Sequence, residues 1–471
     1  MRILVIGSGG REHAICDAFA RSGRVTRMFC APGNGGIAQI AECVSIKVDD
    51  IPGLKDFARR ERIDLTFVGG ETALALGIVD AFEKGGLRIV GASEDAARLE
   101  ASKSFAKDFM LRHAIPTARF RTAYSPQEAI EILESGHFGE STAPVVVKAD
   151  GLAAGKGVVV ARDRVEAIKA CSDLASLAGA EAAEKIVLEE FLEGREVSLL
   201  MFADGKDFVL MPPVRDHKRI GEGDKGPNTG GMGTITDSGL LTPEETQLII
   251  KEIIEPTLDG CIEEGFPFRG ILFLGLMMTG ENVSPIIRAD DEQDVYINAA
   301  PKLLEYNVRF GDPETQSILV RLESDLAGIC EAMLDGKLAE TQIKWRDGNS
   351  ACIVLAAEGY PQKPRTGDAI SGLEESRKIE NVTIYHAGTA SKDEEKAPGS
   401  QSLVPARSSE KNSGARNLET GKSLPSFITA GGRVLGVTST ADSLDEALVA
   451  AYKAVQTISW TGMQYRRDIG K

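Results

Sequence analysis

Four consecutive large apolar residues, Ile3-Leu4-Val5-Ile6, run into Gly7 and then into a helical stretch, Glu12–Ser22. An unbroken apolar run of this length suits a strand buried on both faces, and such strands belong to parallel sheets covered by helices. The pattern repeats. Further runs end at Val68-Gly69 and Val90-Gly91, with helical stretches near 54–62 and 74–85. The alternation predicts an open parallel α/β domain over 1–103.

Past that point the texture changes. A helix is expected over 96–113, where Phe105/Phe109 and Ala106/Met110 recur at i,i+4. Short valine-rich strands follow at 145–147, 158–160, 186–188 and 197–202, joined by glycine-rich connections, and longer helices are expected over 243–265 and 314–335. These read as antiparallel hairpins plus helices, a central α+β domain over 104–335. The remainder, 336–471, reads as a small α+β domain with strands at 351–357 and 433–438 and a helix at 443–457. Within it, 391–427 holds eight serines, three prolines and one aromatic residue. Such a segment buries too little apolar surface to offset its ordering entropy, so a flexible surface insertion is expected.

Composition narrows the function. The chain has 471 residues, room for roughly two to four domains. Its net charge of −16 argues against a general nucleic-acid or anionic-membrane binder, since both need a basic surface. No apolar stretch is long enough to span a bilayer; 270–279 comes nearest and is interrupted by Gly275. The N-terminal run leads into glycines without a small-residue cleavage site, unlike a signal peptide. Seven scattered cysteines without CxxC read as reduced thiols of a cytoplasmic protein. Five histidines without HxH or HExxH make a histidine-based metal site a poor reading.

Several polar clusters carry chemistry. Gly7-Ser8-Gly9-Gly10-Arg11-Glu12 opens a helix after a strand, which suits an anion or a plain tight turn. Glu12 occupies the third glycine position of a dinucleotide fingerprint, and no acid ends the strand at Cys30-Ala31-Pro32, so a nicotinamide site is disfavoured. Lys148 and Lys156 flank a glycine-rich hairpin, 149–157, that is not a Walker loop; it could cover nucleotide phosphates or be a solvated turn. Glu189, Glu190, Phe191 and Leu192 end an apolar strand whose backbone could read an adenine edge, and Glu196 could accept ribose hydroxyls. In Leu304–Phe310, alternation puts Glu305, Asn307 and Arg309 on one face and Leu304, Tyr306 and Val308 on the other. Acid plus amide suits Mg²⁺ shared with phosphate oxygens, and a guanidinium beside them could take a carboxylate bidentately. Pro313 is well placed for the first turn of a following helix. The polar segment Asp216–Arg219 and the glycine-rich Gly226–Gly233 read as a ligand-enclosing loop.

In this order the motifs resemble the ATP-grasp superfamily, and more closely the glycinamide ribonucleotide synthetases (phosphoribosylamine–glycine ligases). The resemblance runs through Gly7–His13, Ala31–Asn34, Lys148–Gly157, Asp216–Arg219, Gly226–Gly233 and Glu305–Gln316 to His386–Thr389 and Arg466–Gly470. It implies an N-terminal open α/β domain, an ATP-grasp body whose mobile lid (about 118–193) closes over ATP, and a small C-terminal domain. It also implies that Lys103 and Lys148 contact ATP phosphates, that Glu189, Glu190, Phe191 and Leu192 line the adenine, and that Glu196 binds the ribose. Glu305 and Asn307 would hold Mg²⁺ or Mn²⁺, with Arg219 and Asn228 near the triphosphate. Gly9, Gly10, Arg11, Glu12 and Asn34, together with Gly230, Gly231 and Met232, would receive phosphoribosylamine. Arg309 would take the glycine carboxylate, and Asp216 and Asp312 its ammonium group. Lys148, Arg309 and Asp216 are the catalytic candidates.

Three departures from the family pattern stand out: a lengthened connection at 289–300, the insertion 391–427, and Gly70 and Leu74 where prolines are usual. The expected partners are small molecules, with no nucleic acid and no membrane, and the expected state is a monomer or else a dimer. Two other readings stay open: an ATP-grasp ligase for a different acid and amine, and a non-catalytic ATP-binding regulator.

Overall fold

A computed structural model describes residues 1–152, 157–179, 184–280, 300–392 and 426–471. Lys156, nearly all of 289–300 and most of 391–427 lie outside the described residues.

The N-terminal part is the parallel sheet that its apolar runs predict. Five strands lie in the order Glu42–Cys43, Arg27–Pro32, Arg2–Gly7, Leu65–Val68, Ile89–Val90, every neighbour parallel. Ile3, Leu4, Val5 and Ile6 are all buried, as a strand covered on both faces requires. Three helix expectations need correction. The stretch 74–85 breaks at Gly77, where φ is +74°, into Glu71–Ala75 and Ile78–Glu83. The stretch 96–113 is two helices, Glu94–Ala101 and Lys103–Arg112, separated by an extended Ser102 whose hydroxyl caps the second. The stretch 314–335 is likewise Glu314–Leu319 and Leu326–Leu334, the latter capped by Asp325. In the last two cases a capping side chain starts a new helix inside a continuing apolar period. Pro313 is the cap of its helix rather than part of its first turn.

Two antiparallel sheets form the rest. The smaller orders Phe120–Ala123, Ile186–Glu190, Val145–Ala149 and Val158–Ala161, backed by helices Pro126–Glu134 and Arg164–Ala178. The larger has nine strands. Its path runs Ala300–Asn307, Arg269–Thr279, Arg195–Asp204, Val214–Asp216, Gly233–Thr236, Asn349–Ala356, Arg433–Ala441, Val382–His386, with Phe208–Leu210 paired to Arg195–Asp204 off the path. The last three strands come from the C-terminal part. They join the central part through Gly233–Thr236 paired with Asn349–Ala356.

The strand Ala300–Asn307 departs from simple alternation. Its register against Arg269–Thr279 slips between Gly275 and Leu276, leaving Leu304 without a partner. Leu303, Tyr306 and Val308 fill the core, whereas Leu304 lines a small cavity with Glu196, Asp216 and Lys218. The bulge therefore moves Leu304 from the face expected for it. Glu305, Asn307 and Arg309 stay half-buried, outside the core cluster.

Candidate functional site

Lysines from the two sheets and the helix between them converge around Glu305. Lys103 begins the helix Lys103–Arg112, and its ammonium donates to Gly151 O at 3.1 Å. The same helix start holds the hairpin base: Ser104 N donates to Asp150 Oδ1 at 2.6 Å. Lys148, on the smaller sheet, lies 3.5 Å from Leu304 O. Burial alone would push the Glu305 carboxyl up, but Lys218, Lys148 and Lys103 hold it below the usual carboxylate range. Glu305 is thus an ionised oxygen donor at neutral pH. Asn307 supplies a neutral one, and Arg309 Nη2 donates to Asn307 Oδ1 at 3.0 Å. Among the described residues no group of three or more His, Cys, Asp or Glu side chains could hold a metal alone. One carboxylate and one amide fit a magnesium-type ion only if phosphate oxygens and water complete its shell.

The expected adenine wall is partly committed elsewhere. Glu189 is 2% exposed, its carboxylate gripped by Lys107 and Lys148, so that side chain is not left for a base. Glu190 pairs with Arg119 at 2.6 Å. Phe191, 39% exposed, and the half-buried Leu192 and exposed Glu196 remain available. Glu196 lies 3.1 Å from Lys218.

The N-terminal glycine loop meets the central part beside Asp312. A Cβ on Gly9 would come 3.1 Å from Asp312 Oδ2, and one on Gly10 would strike Gln316 Nε2 at 2.6 Å. Glycine is needed there because another element occupies the space a side chain would fill. Glu12 is buried and turned back onto its own loop, accepting from Gly9 N at 2.6 Å and lying 2.7 Å from Arg11 Nε. Arg11 spans to Phe310 O at 2.9 Å. Asn34 uses its whole amide: it donates to Ser8 O and His386 O and accepts from Gly36 N and Ile37 N. Glu12 and Asn34 therefore shape the loop. The Gly70 departure has a local cause: a Cβ at that position would sit 2.9 Å from an Arg11 guanidinium nitrogen.

Arg309 lies between Glu100, at 2.8 Å, and Glu71, at 3.3 Å. The Glu71 contact is made by Nε and the Glu100 contact by Nη2, so both acids engage the guanidinium. Asp312 accepts from Gln316 at 2.8 Å and pairs with Arg433 at 3.2 Å; burial opposes its ionisation, but Arg433 and Arg11 keep it below the usual range. Asp216 is pushed well up by burial and by the neighbouring Glu314 carboxyl, against the pull of Lys218 and Arg433.

The polar loop is a strand pair, Arg219–Gly221 with Lys225–Asn228, in which Arg219 and Asn228 are cross-strand partners. Gly231, at φ +105°, passes so close to Asp216 that a Cβ would meet Oδ1 at 2.7 Å. Gly230 is exposed. Met232 differs from expectation. Its side chain is buried, its N–H donates to His217 O and its carbonyl accepts from Val354 N, so it ties strands together.

Five site residues escaped the sequence reading. Lys107 had a signal, one turn after Lys103 on the same helix. Lys218 lay inside a motif already singled out. Glu71, Glu100 and Arg433 had none, because each reaches the site from a separate part of the chain. Arg433 comes from the C-terminal part, donates to Gly230 O and to Asp312 O, and closes the cleft from that side.

Known proteins share this arrangement from end to end. Three family profiles match in series: phosphoribosylglycinamide synthetase N domain over 1–100, its ATP-grasp (A) domain over 101–315, and its C domain over 350–471. A phosphoribosylamine–glycine ligase of Xanthomonas campestris is 43% identical, covering 100% of this chain and 97% of the relative. The crystal structure of the Thermotoga maritima phosphoribosylamine–glycine ligase superposes with a TM-score of 0.77 at 32% identity, covering 100% of both chains. The biotin carboxylase domain of Hydrogenobacter thermophilus 2-oxoglutarate carboxylase, solved with MgADP, shares the fold at a TM-score of 0.66 and 15% identity, covering 98% of this chain and 91% of that one.

Proposed function

The chain belongs to the phosphoribosylglycinamide synthetase family, and from that membership we propose that it joins glycine to 5-phosphoribosylamine in purine biosynthesis, using ATP and releasing ADP and phosphate. The observation that carries the reading is Glu305 and Asn307 on one strand with Arg309 just past its end, facing Lys103 and Lys148, with the N-terminal glycine loop packed against Asp312.

A carboxylate is a poor electrophile, so it must first gain a leaving group. The glycine carboxylate oxygen attacks the γ-phosphorus of ATP, the bond to the β-γ bridging oxygen breaks, and ADP leaves. The ribosylamine nitrogen then attacks the carbonyl of glycyl phosphate. Phosphate departs, the amine loses a proton, and glycinamide ribonucleotide remains. No enzyme nucleophile is required, so the protein works by positioning and by charge stabilisation. A divalent ion, Mg²⁺ or Mn²⁺, would be held by Glu305 and Asn307 and would neutralise phosphate charge. Lys103 and Lys148 bind phosphate oxygens, while Arg219 and Asn228 lie beside the triphosphate. Arg309, which donates to Asn307, orients the glycine carboxylate, and Asp216 and Asp312 receive the glycine ammonium. Phe191, Leu192 and Glu196 hold the nucleoside. The 118–193 lid closes and keeps water from the acyl phosphate. Gly9, Gly10, Arg11 and Gly230–Gly231 form the amine-substrate side.

One chain supplies every residue of this cleft, so the reading needs no second copy. Among the described residues no helix is long and apolar enough to cross a membrane. The biosynthetic chemistry, on small water-soluble substrates, favours a cytoplasmic protein, a monomer or else a dimer.

The test is ADP release with Mg·ATP and glycine, with and without freshly generated phosphoribosylamine. Release that requires both substrates is expected. Release with glycine alone would mean a different amine, and none under either condition would mean a different acid or no catalysis.

A further inference from the structure

Lys107 has no part in the chemistry above, yet its ammonium is buried, 2% exposed. A charged amine leaves water only where partners compensate. Lys107 Nζ lies 3.1 Å from Glu189 Oε2 and donates to Thr117 Oγ1 at 2.7 Å. The Thr117 hydroxyl donates in turn to Leu303 O at 2.6 Å. On the other side, Glu189 Oε1 is 2.7 Å from Lys148 Nζ, which reaches Leu304 O at 3.5 Å. These contacts form a closed circuit. It begins and ends on adjacent carbonyls of the strand that carries Glu305 and Asn307, and it passes through two strands of the smaller sheet.

The charges explain why a second lysine is present. Burial tends to push Glu189 up, but Lys148 and Lys107 hold it ionised. Burial brings Lys107 down to about 8 against the pull of Glu189, with Lys148 and Glu305 also facing it, so it remains cationic at neutral pH. Lys148 and Glu189 alone would be neutral, and the carboxylate would cancel the charge that phosphates need. With Lys107 the triad carries a net +1.

We propose that Lys107 is a positioning residue of the ligase: through Glu189 it supplies the compensating charge and holds Lys148 over the metal-binding strand, leaving the Lys148 ammonium for the nucleotide phosphates. The inference rests on the ATP-dependent reading of the cleft. Its binding test uses neither glycine nor phosphoribosylamine, so failure of the ligase assay on the wild type and failure of this proposal are separate results.

The probe is Mg·ADP, titrated calorimetrically into the full chain. Lys107→Met keeps length and volume and removes the charge. It is expected to weaken Mg·ADP about tenfold or more and to raise the KM for ATP, with the glycine KM unchanged. In a Lys148→Met background the same change is expected to add almost nothing, because Lys107 acts through Lys148. Lys107→Gln satisfies Glu189 and Thr117 by hydrogen bonding without charge, serves if the methionine variant folds poorly, and is expected to bind Mg·ADP as weakly. Wild-type affinity in either single variant, or a full additive loss on top of Lys148→Met, would overturn the proposal.

Discussion

Arg309 sits between two carboxylates that reach it from different helices, and the two respond differently. Glu71 is partly exposed; burial pushes it up, but Arg309 and Arg11 bring it down to about 2. Glu100 is more deeply buried, so desolvation outweighs the same arginine and leaves it raised. One guanidinium thus holds two acids 2.8 and 3.3 Å away. Arg309→Lys keeps the charge and loses the fork. We expect the glycine KM to rise, or kcat to fall, by about tenfold, read by initial rates across glycine concentrations. Glu305→Ala should cut turnover by roughly a hundredfold or more while far-UV circular dichroism stays unchanged. Near wild-type turnover in that variant would remove Glu305 from the metal site. At this scale the residue types were legible, since an acid, an amide and a guanidinium at alternate positions announce a polar strand face. The partners Glu71, Glu100 and Arg433 were not, because contact across sequence distance leaves no local mark.

The element that most changes the view of the cleft is the C-terminal segment around Arg466–Gly470. Arg466 is 2% exposed. It pairs with Asp468 through two bonds of 2.8 Å, reaches Asp224 at 2.7 Å and donates to Arg219 O at 3.1 Å. Gly223 N donates to Asp468, and Gly470 N donates to His217 Nε2. The segment therefore straps down the hairpin that carries Arg219 and Asn228. Arg466→Met removes the buried cation and is expected to destabilise the chain by about 3 kcal/mol, with a raised KM for ATP, checked by denaturant titration and kinetics. The strap should also be acid-labile. Arg466 holds Asp468 at about 2, below its usual 3.8, so its stabilisation is full above that usual value and is lost as pH falls towards about 2. Motif resemblance marked Arg466–Gly470 as distinctive, but only the fold assigns it this contact. Ser102 has both kinds of contact: its hydroxyl caps the helix that follows, and only the fold brings Asp150 to the same hydroxyl.

At the scale of the molecule, the C-terminal part is continuous with the centre, since one nine-stranded sheet crosses from one to the other. It also grips the N-terminal part. His386 N donates to His13 Nδ1 at 2.8 Å, beside the glycine loop, and Asn34 joins Ser8 to His386. Burial brings His13 down to about 4, helped by Arg377, and holds His386 well below its usual value. An unfolded histidine titrates near 6.5, so between these values the unfolded chain binds more protons. Stability from this contact should accordingly fall as pH drops from about 6.5 to about 4. Thermal melts across that range should show the loss, and His13→Gln, neutral and still an acceptor, should reduce it while His386 keeps its own share. An unchanged slope in that variant would assign the effect to other groups.

Local physics in the sequence determined the N-terminal parallel sheet, the antiparallel strands and the polar face of the strand carrying Glu305 and Asn307, because burial period and glycine placement act over a few residues. Tertiary structure alone decided which face Leu304 takes at its bulge and which distant charges compensate one another. Glu189 illustrates the difference: at a strand end it reads as a solvated acid or an adenine contact, and only the fold brings two lysines to it. Charge pairing depends on separation in space, which the chain's order does not record.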